Sequence, residues 1–120
     1  FWRRLGRKLK RKYSDLKLVF IWVREQENSK QQHYHVAIAV DKNLIHYSNT
    51  VTSAVIEVWK GLTGLQAHIP KHCYYTVKRD DWHSIEEALT RVSYLAKERG
   101  KGYRPSQTKD YGSSRLKPLN

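Results

Sequence analysis

Apolar and polar positions alternate with a period of two across residues 18–40, LVFIWVREQENSKQQHYHVAIAV. A strand sends successive side chains to opposite faces. The stretch therefore predicts two strands, at about residues 17–25 and 33–41, joined by a polar hairpin loop. Val19, Ile21, Val23 and Glu25 share one side of the first strand. His33, His35, Ala37 and Ala39 share one side of the second, and Tyr34, Val36, Ile38 and Val40 share the other. An antiparallel register with Glu25 opposite His33 puts Val23 opposite His35, Ile21 opposite Ala37 and Val19 opposite Ala39. That register gathers a carboxylate and two imidazoles on one face. Leu18, Phe20 and Trp22 then face Val40, Ile38 and Val36 on a side without charge. The expectation is a hairpin with one core face and one site face, where the small Ala37 and Ala39 leave space beside the histidines.

Elsewhere the spacing is helical. Trp2, Leu5 and Leu9 recur at three and four residues within FWRRLGRKLKRK, which predicts an amphipathic helix over 1–12. Asp41-Lys42-Asn43 reads as a turn into a short piece, 44–47. Ser48-Asn49-Thr50 offers oxygens that cap a helix of about 51–62. Its apolar stripe is Val51, Val55, Val58, Trp59 and Leu62, and Gly61 and Gly64 end it. Pro70 argues against a regular strand in 65–72. A weak alternation over 73–78 predicts the third strand. A further helix starts near 81–84, with Ser84 and Glu87 at capping-box spacing and Ile85, Ala88, Leu89, Val92 and Ala96 as its buried stripe. At about 100° per residue, Tyr94 lies about 180° from Ile85, and Lys97 returns to the side of Tyr94. Gly100 and Gly102 break this helix. Residues 103–120 carry few large aliphatics and read as a basic arm after a domain over 1–102. The pattern as a whole predicts an α+β fold with a central antiparallel sheet.

Composition adds a partner class. The 120 residues suffice for one core, and 23 Lys and Arg against 11 Asp and Glu give a net charge of +12. Such an excess points to a polyanion, nucleic acid or an anionic membrane. The longest apolar run, 18–23, is too short to span a bilayer, and no secretory leader pattern is present. The single Cys73 makes no internal disulfide and is compatible with a reducing cytosol. The chain has no Met and begins Phe1-Trp2, as expected of a domain trimmed from a longer protein. The 1–12 helix is either a solvated face or, given the charge, a phosphate-contacting one through Arg3, Arg4 and Lys8. Its apolar stripe is thin for a membrane-surface helix.

The candidate chemistry lies in two clusters. Glu25, His33 and His35 have the donor types for a divalent ion, Mn²⁺, Mg²⁺ or Zn²⁺. The bland reading is a pair of half-exposed strand histidines. Tyr94 and Lys97 form the second cluster. A tyrosine hydroxyl has an ordinary pKa of about 10, so it becomes a competent nucleophile beside positive charge. The bland reading is a surface tyrosine next to a solvated lysine. His46, His68, His72 and His83 read as structural or surface residues. Trp2, Trp22, Trp59 and Trp82 are core candidates, and Tyr103 and Tyr111 are candidates for stacking on bases.

These residues carry a resemblance to the HUH endonucleases, which nick single-stranded DNA. His33-Tyr34-His35 matches the HUH motif, and Glu25 matches the acidic ligand before the hairpin loop in Rep-type members. Tyr94-Leu95-Ala96-Lys97 matches the single-tyrosine Y-x-x-K motif. The segments Arg24-Glu25-Gln26, the Trp59 helix, Arg91 to Lys97 and Tyr111-Gly112-Ser113-Ser114-Arg115 are similar to filamentous-phage (inovirus) type replication initiators and their prophage relatives. The likeness covers about residues 16–115. It implies a Rep-like variant of the ferredoxin-like fold, with Glu25, His33 and His35 holding Mn²⁺ or Mg²⁺. It implies that Tyr94 attacks a DNA phosphodiester, giving a 5′-phosphotyrosine and a free 3′-hydroxyl that primes rolling-circle replication, with Lys97 assisting. The implied partners are single-stranded DNA at an origin hairpin or nick site and a host helicase or replication proteins, in the cytoplasm of a bacterial host or phage-infected cell. Arg3, Arg4, Lys8, Arg91, Arg104, Lys109 and Arg115 are the candidate DNA contacts. Two departures stand out. The early strand of such domains is not evident, as if cut off or lost, and Gln32 stands where many relatives have Pro. The other readings are a plasmid initiator, transposase or relaxase of the same class, a non-catalytic nucleic-acid-binding module with a degenerate metal site, and an unrelated hydrolase that uses the H-x-H pair and not Tyr94.

Overall fold

A computed structural model describes residues 1–27, 31–93 and 111–114, and it is α+β with a three-stranded antiparallel sheet. Residues 25–27, 31 and 32 are described as backbone only. The chain divides into two units, one of residues 1–18 and 40–76, the other of 19–39 and 77–120.

The first unit contains α1, Trp2–Lys10, and α2, Ser48–Thr63, which pack on each other. Leu5, wholly buried, and Leu9 form the apolar edge of α1. Ala54, Val55 and Val58 are the buried residues of α2, and Leu16 and Ile45 add to the core from the connections. Phe1 meets Trp2 edge-on at 4.9 Å and Trp59 at 6.0 Å between ring centres. Lys8 reaches from α1 to the Glu57 carboxylate of α2 at 2.8 Å. Ser48, Asn49 and Thr50 do not cap α2. They lie inside it, behind an extended Tyr47 that makes no side-chain cap bond. Gly64, not Gly61, ends the helix. Its φ of 74° is in the left-handed region, which glycine enters without a Cβ clash, and its N–H donates to the Lys60 carbonyl at 2.8 Å.

The second unit contains the sheet, in the order β2–β1–β3. The strands are β1, Val19–Glu27, β2, Gln31–Ala39, and β3, Tyr111–Ser113. The hairpin has the register with Glu25 opposite His33, Val23 opposite His35, Ile21 opposite Ala37 and Val19 opposite Ala39. The third strand is not the expected one. Residues 73–78 have no strand structure and are exposed, and Tyr111–Ser113, expected in the basic arm, pairs with the free edge of β1. Ser114 fixes this pairing, because its N–H donates to the Phe20 carbonyl at 3.0 Å while its hydroxyl accepts from the Phe20 N–H at 3.0 Å.

Gly112 explains why this stretch reaches β1. It is the register partner of Trp22, whose indole lies across the glycine backbone. A Cβ at residue 112 would sit 2.5 Å from Trp22 Nε1 and 2.6 Å from Cε2. Gly112→Ala is therefore expected to destabilise the fold by about 1–3 kcal/mol, as overpacking does. A urea midpoint equal to that of the parent chain would refute this.

The hairpin faces are not divided as the alternation suggests. Val23, on the histidine face, is 3% exposed, and its neighbour Arg24, on the opposite face, is 6% exposed. Tyr34 and Val36, on the face expected to be core, are exposed. Successive residues point to opposite sides, so β1 is enclosed on both faces at residues 23 and 24.

The helix α3 is described over Trp82–Ser93. Its cap is Asp81 rather than Ser84. Asp81 Oδ1 accepts from the N–H of His83 at 3.1 Å and of Ser84 at 3.4 Å. The Ser84 hydroxyl instead donates to the Asp81 carbonyl and accepts from the Lys78 N–H. No residue of the described helix is buried. Ile85, Ala88 and Val92 are half-buried, whereas Leu89 and Trp82 are exposed, so Trp82 is not a core residue. Ala96 of the expected stripe lies outside the described residues.

Candidate metal and nucleic-acid face

The β1–β2 hairpin supplies one edge of the site. Glu25 is the Cα partner of His33, and Val23 is the partner of His35. Directly opposed residues of an antiparallel pair share a face. The backbone thus puts Glu25, His33 and His35 on one side of the sheet, with both histidines exposed. The intervening Tyr34 points to the other side, where its ring centre is 6.1 Å from that of Trp22.

The sheet also adds a residue. Val23 has Tyr111 as its partner on β3. His35, Val23 and Tyr111 therefore form a row across three strands on the histidine face. Two strand spacings put the His35 and Tyr111 backbones roughly 10 Å apart. Tyr111 is 70% exposed, which leaves its ring available to a ligand on that face. The sequence offered it as a base-stacking candidate among basic residues and as the aromatic residue of the Tyr111-Gly112-Ser113-Ser114-Arg115 segment, without placing it on the histidine face. The alternation Tyr111-Gly112-Ser113 is too short to reveal its face without the register.

The donor set suits a divalent ion: two imidazoles from alternate residues of one strand and a carboxylate opposite the first. Among the described side chains, no group of three His, Cys, Asp or Glu converges, and the Glu25 side chain is not among them. Tyr94 and Lys97 lie outside the described residues, directly after the described end of α3 at Ser93. Arg104, Lys109, Arg115 and Tyr103 are also outside them. Arg91 is exposed on α3, and Arg3 and Arg4 are exposed on α1, with Lys8 held at Glu57. His46, His68, His72 and His83 are all exposed, in line with surface roles. No described helix is long and apolar enough to cross a membrane.

Residues 2–114 match the family model described as the YagK/YfjJ C-terminal domain. The chain belongs to this family. The match begins with the first residue of α1 and ends with Ser114, so the YagK/YfjJ domain takes in both units and all three strands. Its description names no reaction and no ligand. No curated protein and no solved structure matches the chain.

Proposed function

We propose that the chain is a metal-dependent nickase and strand transferase for single-stranded DNA, of the HUH, single-tyrosine type. The observation that carries this reading is the register that pairs Glu25 with His33 and Val23 with His35 on an exposed sheet face. The motif order His33-Tyr34-His35, then Tyr94-x-x-Lys97, then Tyr111-Gly112-Ser113-Ser114-Arg115 supports it, as does the net charge of +12. Glu25, His33 and His35 would hold Mn²⁺ or Mg²⁺, and the ion would supply charge stabilisation at the scissile phosphate. The Tyr94 oxygen attacks phosphorus, the bond to the 3′-oxygen breaks, and the leaving strand keeps a 3′-hydroxyl. Lys97 offsets negative charge on the phosphate. Re-attack by the 3′-hydroxyl rejoins the strand and restores the tyrosine, so the steps balance without an outside reactant. Initiation of rolling-circle replication, alongside a host helicase, is the role that fits a nick leaving a primer.

The test is incubation of the chain with end-labelled single-stranded DNA and Mn²⁺. A denaturant-stable protein–DNA adduct that is lost on chelation is expected. Binding without an adduct would point to the non-catalytic module. Cleaved DNA without an adduct would point to a hydrolase.

A further inference from the structure

We propose that the outer face of α1 is a separate site for the phosphate backbone of double-helical nucleic acid, independent of the nicking chemistry. The first twelve residues hold seven cations, Arg3, Arg4, Arg7, Lys8, Lys10, Arg11 and Lys12, and no carboxylate. They supply seven of the twelve net positive charges of the chain. Arg11 continues the helical backbone beyond Lys10. At about 100° per residue, Arg3, Arg7, Arg11, Arg4 and Lys10 fall within an arc of about 120°, opposite the buried Leu5 and Leu9. Arg3, Arg7 and Arg11 form a row with a rise of about 6 Å per step.

Part of this arrangement opposes helix stability, although Arg7 and Lys10 lie in the last turn, where the dipole favours cations. Arg3–Arg7 and Arg7–Arg11 are like-charge pairs four residues apart, which repel. Arg3 and Arg4 sit in the first turn, where the helix dipole disfavours cations. Glu57 is held by Lys8, and among the described residues no carboxylate pairs with the five cations of the arc. The helix is kept by its apolar edge on α2 in spite of its charged face. Cations placed against local stability in this way fit a polyanionic ligand.

The chemistry of the face narrows the partner. Single-strand sites combine charge with aromatic platforms for unstacked bases, and the α1 arc has none. Phe1 and Trp2 pack on each other, and Phe1 also meets Trp59. A membrane-surface helix needs a free apolar face, yet Leu5 and Leu9 are buried. What remains is a row of guanidinium groups, which suits phosphates presented by a stacked duplex.

The full chain is tested with a short DNA duplex that lacks a nick site, in chelator, from roughly 50 to 200 mM salt. Arg3→Gln with Arg7→Gln and Arg11→Gln is expected to flatten the slope of log affinity against log salt by about 2.7, and to weaken duplex binding roughly 10²-fold at 0.1 M salt. Its thermal midpoint should stay close to the parent's, because the removed like-charge repulsion offsets the loss of cations that the dipole favours at the C-terminal end. Glu57→Gln frees Lys8 and is expected to steepen the slope by about 0.9. Duplex binding by Tyr94→Phe should stay within a few-fold of the parent, so failure of the nickase reading leaves this one standing. Slopes unchanged in both the triple variant and Glu57→Gln overturn the proposal. So does an equal loss for single strand and duplex, or a loss confined to vesicles rich in phosphatidylserine.

Discussion

Tyr94→Phe is expected to abolish the covalent protein–DNA adduct while single-stranded DNA binding stays within a few-fold of the parent. The substitution removes one oxygen and keeps the ring, so binding through charge and shape has little reason to change. The chemistry has every reason to change, because without the phenol there is no atom to form the phosphotyrosine bond. In a serine protease, loss of the nucleophile lowers turnover by a factor on the order of 10⁶. Electrophoresis under denaturing conditions reads the adduct directly, and fluorescence anisotropy reads binding in the same preparation. An adduct that persists in the Phe variant removes Tyr94 from the role. Tyr111 would then be the residue to replace, since the register places it on the histidine face and it is largely exposed.

The double substitution His33→Ala with His35→Ala is expected to have a large effect by a different route. A divalent ion contributes several kcal/mol of charge stabilisation to phosphoryl transfer, and about 4 kcal/mol is a rate factor of roughly 10³. Both histidines are exposed, and exposed substitutions usually change stability by no more than about 0.5 kcal/mol. The variant should therefore fold and bind DNA. Mn²⁺ is expected to raise the melting temperature of the parent chain, and this rise should be absent in the variant. An ion at about 100 times its Kd stabilises by about 2.7 kcal/mol, which a melting curve resolves without any activity assay. Intact nicking, or an unchanged Mn²⁺ shift in the double variant, would remove the metal role from these residues.

The parts of the fold that were legible in the sequence are the local ones. Period-two alternation on both strands rules out a slip by one residue, which would move Val23 and His35 to opposite faces, and the pairing of Glu25 with His33 is one of the registers it allows. Leu5 and Leu9 declare the inner edge of α1 by their spacing. The third strand was not legible. It has three residues, one of them glycine, and its partner on β1 is about ninety residues earlier, as the Ser114–Phe20 bonds show. Nothing in Tyr111-Gly112-Ser113 announces a strand until Trp22 is seen lying across Gly112. The cap of α3 was misplaced because Asp81 and Ser84 both stand near its start and only geometry selects between them. The helix α2 begins behind Tyr47, which makes no side-chain cap bond, so its Ser48, Asn49 and Thr50 were false signals. The burial of Arg24 was also invisible, since alternation assigns a side to a residue and not its cover.

The position of β3 in the chain has a consequence for the order in which the sheet is made on the ribosome. The β1–β2 hairpin is complete once residue 39 has emerged, yet the second edge of β1 has no partner until residues 111–113 follow. At about 5–20 residues per second, that interval is roughly 4 to 15 seconds. During that time β1 carries a row of unpaired amide and carbonyl groups, the kind of edge that invites pairing with another chain. Tyr111 joins the histidine face only when this strand docks, so the nascent chain sets Glu25 opposite His33 before the rest of that face exists.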